Sequence, residues 1–400
     1  MEKILWKLNT LPKTDKEDCI KFLSKEEVSK AKNFHESFSE YDKTPLVELD
    51  NLAKRIGVKG IYLKDESYRF GLNAFKVLGG SFAIGRYLAD RLGEDIKDLP
   101  YERLTSDEVR EKLGDITFVT ATDGNHGRGV AWTANKLKQK SVVYMPKGSS
   151  LQRLNNIKAE GADASITDLN YDDAVRLAAK YADEHNGLMV QDTAWEGYEK
   201  IPAWIMQGYG TMALEALEQL NSIKVIKPTH IFVQAGVGSL AGAVQGFFAS
   251  EFGEECPKTV IVESNLADCF YKSAIADDGE ARFVGGDMQT IMAGLACGEP
   301  NTIGWEVLKN HSIAFVSCPD WVSAKGMRIL GNPLKGDEKV TSGESGAVTT
   351  GLLYEIMTNE DYKDLKEALE LDENSRVLLF STEGDTDPEK YREIVWNSEC

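Results

Sequence analysis

The chain has 400 residues, 42% of them hydrophobic, with 64 acidic against 46 basic side chains and a formal net charge of −18. That balance repels phosphate backbones and anionic lipid, so neither nucleic acid nor a membrane surface is an expected partner. The opening MEKILWKLNTLPKTD is too charged and its apolar stretch too short for a signal peptide, and no run of about 18 apolar residues offers a bilayer span, so a cytoplasmic protein is expected.

In chain order, the first unusual stretch is FGLNAFKVLGGSFAIG, Phe70 to Gly85, which places Lys76 at the start of an otherwise apolar helical pattern. A lysine there either snorkels its charge to solvent or has a covalent task. From about Asp115 onward, β-branched runs alternate with segments of helical period: ITFVTAT, SVVYMP, ADASITD, LMVQDTA, HIFVQA and TVIVES are the strand candidates. Near-continuous apolar strands alternating with helices predict an α/β protein whose parallel sheets are covered on both faces. Four candidates fall between Asp115 and Asp192, and the span from Pro228 to Ser381 supplies strands for a second sheet. Two such lobes leave a cleft, the usual place for a ligand.

Three turns carry chemistry. In TATDGNHGRGVAW, Thr120 to Trp132, a strand runs into DGNHG at a helix start, where Asp123 and Asn125 either cap the helix or hold something bound. In VQDTAWEGY, Asp192 closes another strand, as a cap or as a site carboxylate. In HIFVQAGVGSLAGAVQGF, His230 to Phe247, glycines between a strand and a helix form an anion cup of backbone NH groups. Gly236, Gly238 and Ala241 also fit the dinucleotide pattern, with Glu263 following, so an NAD-dependent dehydrogenase competes at this point. The Gly-rich segment from Asp277 to Thr302 has no clear period and reads as a long functional loop. Cys19, Cys256, Cys269, Cys297, Cys318 and Cys400 are dispersed without CxxC or histidine spacing, so thiols and no metal site are expected, with a meeting of Cys269 and Cys297 left open.

In this order the stretches around Lys76, Asn125 and Gly236 resemble the fold type II (tryptophan synthase β-like) pyridoxal phosphate enzymes. The resemblance implies two open parallel-sheet lobes with the active site in the cleft between them. Residues 1–88 and 200–400 would form the large cofactor-binding lobe and 89–199 a small mobile lobe on the substrate side, in a homodimer. It implies pyridoxal 5'-phosphate as cofactor, Lys76 as its Schiff-base lysine, Asn125 beside its O3′, and Gly236, Val237, Gly238, Ser239 and Leu240 around its phosphate. Thr122, Asp123, Gly124 and His126 would hold the substrate. Glu344, in TSGESGAVTTG, would lie near the cofactor ring, and Ser381 or Thr382, in RVLLFSTEGDTDP, would meet the pyridine nitrogen. A hydroxyl at that nitrogen leaves it largely unprotonated, a weaker electron sink that suits β-elimination.

Where the threonine and serine dehydratases of this family carry a small residue before GNH, this chain carries Asp123. A carboxylate there, with Asp192 as a second, would attract a substrate bearing a second ammonium group. With TIMAGLACGEP and SGESGAV, the pattern resembles the branch of the family that eliminates ammonia from 2,3-diaminopropionate. This implies an amino acid substrate taken as either isomer and converted to pyruvate and two ammonia, with a serine or threonine dehydratase as the alternative. Lys76, Asp123 and Asp192 would be catalytic: Lys76 as base on one face, Asp123 as base for the D isomer, and either carboxylate keeping the leaving amine protonated.

Overall fold

The apolar runs become strands wherever both faces can be buried. The structure, a computed structural model, describes residues 2–397; Cys400, read as a thiol, lies outside them. Among the described residues the strands are β1 (Leu5–Leu8), β2 (Leu46–Glu48), β3 (Gly60–Asp65), β4 (Thr117–Ala121), β5 (Lys140–Met145), β6 (Asp163–Ile166), β7 (Leu188–Met189), β8 (His230–Gln234), β9 (Lys258–Ser264), β10 (Ala314–Cys318) and β11 (Arg376–Ser381). They form a seven-stranded sheet in the order β1-β10-β9-β8-β11-β3-β2 and a four-stranded sheet in the order β6-β5-β4-β7. The smaller sheet is wholly parallel. The larger is parallel except at its edges, where β1 and β2 run antiparallel to their neighbours.

The six strand candidates from ITFVTAT to TVIVES correspond to β4 to β9, and RVLLFS to β11. β1 to β3, and the buried β10 (AFVSC), are not among the candidates. Two of the first three are short, partly exposed edge strands. The third, GIYLKD, ends in Lys64 and Asp65, which read as surface residues yet are buried. The segment between Asp277 and Asn301 is irregular apart from one turn of 3-10 helix at Ala293–Leu295.

Burying Lys64 requires partners, since an unpaired charge in the interior is strongly unfavourable. Its Nζ donates to Glu215 Oε2 at 2.7 Å, to the Thr44 carbonyl at 2.7 Å and to Gln219 Oε1 at 2.8 Å. Arg69 bridges two carboxylates: Nε and Nη2 donate to Glu66 at 2.8 and 2.9 Å, and Nη1 and Nη2 donate to Glu215 at 2.9 and 2.7 Å. Lys64, Glu66, Arg69 and Glu215 are all fully buried, so two cations and two anions balance inside the protein. Burial alone would raise the pKa of Glu215, but Arg69 and Lys64 hold it well below the carboxylate range.

This network anchors the segment that leads to Lys76. Phe70 and Asn73 take positive φ values of 51° and 61°, a conformation that strains a bulky residue such as phenylalanine. The Phe70 ring is held in place by Phe38, Tyr41 and Trp132 at centroid distances of 5.8, 6.1 and 5.0 Å. Among the described residues no helix is long and apolar enough to cross a membrane, and no group of His, Cys, Asp and Glu is placed to hold a metal ion.

Candidate active site

Parallel sheets gather function at the carboxyl ends of their strands, where the helices that follow begin. The turn after β8, the residues after β11, the turn after β4 and the residues after β7 all reach one cavity. Its walls include Lys76, Thr122, Asp123, Asn125, His126, Asp192, Gly236, Val237, Gly238, Ser239, Leu240 and Thr382.

Lys76 stands at the N-cap of the helix Val77–Leu92. The chain before it is tied to the end of β11: Phe75 N–H donates to the Thr382 carbonyl at 3.0 Å, and Ala74 bridges Glu383. The Lys76 ammonium bonds Asp192 Oδ2. The Tyr209 hydroxyl donates to the same oxygen at 3.4 Å, and Ser239 Oγ donates to the Asp192 carbonyl. Burial alone would lower the pKa of Lys76 and raise that of Asp192; their mutual attraction outweighs it, holding Lys76 above its ordinary value and Asp192 down to about 2. A carboxylate shifted downward stabilises the fold above its unfolded pKa of about 3.9. The pair's contribution is then lost as pH falls through about 2.

His126 is buried, and its Nε2–H donates to the Val190 carbonyl at 2.8 Å. That fixes the tautomer, leaving Nδ1 without a partner 4.0 Å from Asp192 Oδ2. Asn125 opens the helix Asn125–Lys136 and donates from Nδ2 to Glu383 Oε2, while Glu383 Oε1 accepts from the Ser345 N–H at 3.2 Å. Thr122 Oγ1 accepts from Gly124 N–H at 2.9 Å and Gly127 N–H at 3.0 Å, which shapes the turn.

The turn Gly236–Gly238 leads into the helix Ser239–Phe252, whose first-turn NH groups have no intrahelical acceptor. Gly238 has φ 93°, and a Cβ there would collide with the Phe270 ring. Gln234 Nε2 donates to Thr382 Oγ1 at 2.9 Å and to the Phe380 carbonyl at 3.0 Å, and its Oε1 is buried without a partner.

Residues 38–383 match the family described as pyridoxal-phosphate dependent enzymes. The chain belongs to this family. It is similar to the diaminopropionate ammonia-lyase of Salmonella typhimurium, 55% identical over 365 residues that make up 91% of this chain and 90% of the relative. It is also similar to diaminopropionate ammonia lyase from Escherichia coli solved in complex with D-serine, with 47% identity, coverage of 98% and 97% of the two chains and a TM-score of 0.91. The same Escherichia coli enzyme in complex with an aminoacrylate-PLP azomethine reaction intermediate gives 46% identity, the same 98% and 97% coverage and a TM-score of 0.89.

The residues present fit pyridoxal phosphate. The glycine turn brings the free NH groups at the start of the helix Ser239–Phe252 to the cavity wall, where they can receive a phosphate. Lys76 supplies a primary amine, Thr382 a hydroxyl and Asn125 an amide on the walls of the same cavity. Gly238→Ala is expected to weaken the cofactor's Kd about tenfold or more, because strain at positive φ and contact with Phe270 are worth about 1–3 kcal/mol. Titration of the apoenzyme with cofactor, followed by absorbance, checks it.

Two residues expected at the cofactor stand off the cavity. Ser381 Oγ donates to Ser342 Oγ at 2.8 Å, and the next residue, Thr382, takes the wall, because successive side chains of a strand point to opposite faces. Glu344 is buried with Oε1 unpartnered, and its neighbour Ser345 lines the cavity instead. Glu263, the would-be ribose ligand of a dinucleotide site, accepts the N–H groups of Phe270 and Tyr271 at 2.9 and 2.7 Å at the start of the helix Cys269–Ala276. Burial pushes its pKa up to about 8. Glu263 is therefore an internal helix cap, which removes the dehydrogenase reading.

Cys297 lines the cavity and Cys269 lies against Glu263; both are free thiols, as are Cys19, Cys256 and Cys318. Sequence reasoning missed Tyr171, Tyr209, Gln234 and Glu383. Only Glu383 and Gln234 left a trace, as residues at the ends of the two central strands.

Proposed function

We propose that this chain eliminates ammonia from 2,3-diaminopropionate, consuming one water and releasing pyruvate and a second ammonia. The observation that carries this reading is the presence of two carboxylates, Asp123 and Asp192, in the cavity that holds Lys76. A hydroxy amino acid offers these carboxylates no charge to pair with, whereas the second ammonium of diaminopropionate does. In this reading residues 89–199 close on the substrate as a small lobe, and the enzyme is a homodimer.

Bound pyridoxal phosphate supplies an electron-withdrawing ring that stabilises negative charge developing at the substrate's α carbon. The chain's own groups do the rest. The turn from Thr122 to His126, at the start of the helix Asn125–Lys136, receives the substrate carboxylate through its NH groups. Lys76 Nζ, once free of Asp192, is the base for an α proton on its side of the substrate, and Asp123 is the base for the isomer that presents its α proton the other way. The β-amine leaves well only as neutral ammonia, so it must depart protonated, and Asp192 and Asp123 keep it charged until then.

Pyruvate assayed separately from D- and L-diaminopropionate, and from L-serine and L-threonine, tests the reading. Turnover of both diaminopropionate isomers is expected. Pyruvate from serine alone, or 2-oxobutyrate from threonine alone, would move the chain to the dehydratases. Asp123→Asn is expected to lower kcat for the D isomer about 100-fold or more, in line with loss of a general base, and to leave the L isomer within about tenfold. Equal losses on both isomers would remove Asp123 as the second base.

A further inference from the structure

Asp123 has a charged neighbour that the mechanism does not use. The helix Leu151–Ala159 carries Arg153 across the Asp123–Asn125 turn, with Nη1 3.5 Å from Asp123 Oδ2. The methylenes of Arg153 lie over Gly124, whose φ is 158°: a Cβ on that glycine would stand 2.9 Å from Arg153 Cδ. The turn therefore lacks a side chain at the place the arginine stem occupies.

The guanidinium is incompletely satisfied. Its side chain is 8% exposed, Asp123 is the one carboxylate paired with it among the described residues, and Nε is buried with no acceptor. A guanidinium has five donors, and a buried one without partners is unfavourable. Burial alone would lower its pKa, and Asp123, followed by Glu383, Glu344 and Asp387, holds it above the ordinary value. The last three belong to the segments that flank the larger sheet, so Arg153 faces negative charge from both sides of the cleft. It also lines a cleft of about 990 Å³ shared with Asp123 and Asp387, which leaves its side chain room to move.

We infer that Arg153 is the exchangeable counter-ion of Asp123, a positioning residue that sets how much positive charge the site demands from the substrate's β substituent. The inference rests on the reading of Asp123 given above. Asp123 carries one negative charge, so a second cation brought beside it leaves an excess of positive charge that repels Arg153. When a β-ammonium reaches Asp123, Arg153 moves towards Glu383 and Asp387. When the β substituent is a neutral hydroxyl, Arg153 stays on Asp123, and the carboxylate is not left unpaired against the substrate. Arginine thus lets a carboxylate site tolerate a neutral side chain; without it, only a substrate that brings its own cation is well bound.

The test uses the holoenzyme and the variant Arg153→Met, which keeps a stem over Gly124 and removes the charge. Binding of D-serine and of D-diaminopropionate is titrated through the cofactor's absorbance, and KM and kcat are measured for each. The preference for diaminopropionate over serine is expected to rise at least tenfold, through weaker serine binding, with KM for diaminopropionate unchanged or lower. Arg153→Lys, which keeps a cation, is expected to stay within threefold of the parent ratio. A parallel weakening of both ligands in Arg153→Met, or a fall in the ratio, would overturn the inference and leave Arg153 a packing residue. If Arg153→Met does not retain cofactor, Arg153→Gln carries the same expectation. Asp123→Asn separates the two readings. An unchanged preference in that variant defeats the assignment of Asp123 itself, whereas a reduced preference there, with no rise in Arg153→Met, defeats only the role of Arg153.

Discussion

Lys76→Ala is expected to abolish pyruvate formation from either isomer of diaminopropionate, a fall of about 10³-fold or more. In the proposed function the lysine both holds the cofactor covalently and moves the α proton, and a positioned general base alone contributes about 10²–10⁴-fold. The structure adds a second consequence. Asp192 is 3% exposed and its charge is matched by the Lys76 ammonium, so in the apoprotein deleting the lysine leaves a buried carboxylate without its cation. Breaking a buried pair in that way costs about 3–5 kcal/mol. The double variant Lys76→Ala, Asp192→Asn is therefore expected to recover most of the lost stability in urea unfolding and none of the turnover. Recovery of turnover in the double variant would reduce Lys76 to a counter-ion. Borohydride treatment of the parent holoenzyme, followed by peptide mass mapping, should place the cofactor's added mass on the peptide that contains Lys76.

Arg69→Met is expected to lower the unfolding free energy by about 3–5 kcal/mol, although Arg69 lies outside the cavity walls. Its guanidinium makes four hydrogen bonds to Glu66 and Glu215, and both carboxylates are fully buried. Removing it leaves Lys64 as the one cation against two anions, the arrangement in which the desolvation penalty is no longer offset. The sign with pH follows. The Glu215 pKa is held below its ordinary value in the parent, so the stability it contributes is present above about pH 4.3 and lost on acidification. The deficit of Arg69→Met should therefore be largest at neutral pH and shrink as pH falls from about 4.3 towards about 2. A deficit independent of pH would mean that packing, not charge, sets the value. The network also holds the approach from Glu66 to Gly71 through which the chain reaches Lys76, so the variant should show a broadened cofactor band at neutral pH.

How much of this was legible beforehand depended on how local the physics was. Alternating β-branched and helical segments identified β4 to β9, because a strand buried on both faces must be apolar throughout. The edge strands β1 and β2 escaped, since a short strand with one neighbour need not be apolar. β3 escaped because its Lys64 is buried in an ion network whose partners lie in other elements.

At the site, the stretches around Lys76, Asn125 and Gly236 were readable from the chain alone, because each is a strand-to-helix turn or helix start built from a few consecutive residues. Side-chain convergence was not readable. That Lys76 meets Asp192 across 116 positions, and that Asn125 meets Glu383 across 258, follows only from the way strand ends of the two sheets reach one cavity. That Thr382 and not Ser381 lines the cavity follows from the pleat, and the place of Glu263 from the helix start that closes over it. The sequence by itself determined the α/β class and the family, since these rest on short-range pattern. Only the tertiary structure decided which carboxylates are paired, which are orphaned and which cation stands beside Asp123, because burial and Coulomb interaction depend on distance in space and not along the chain.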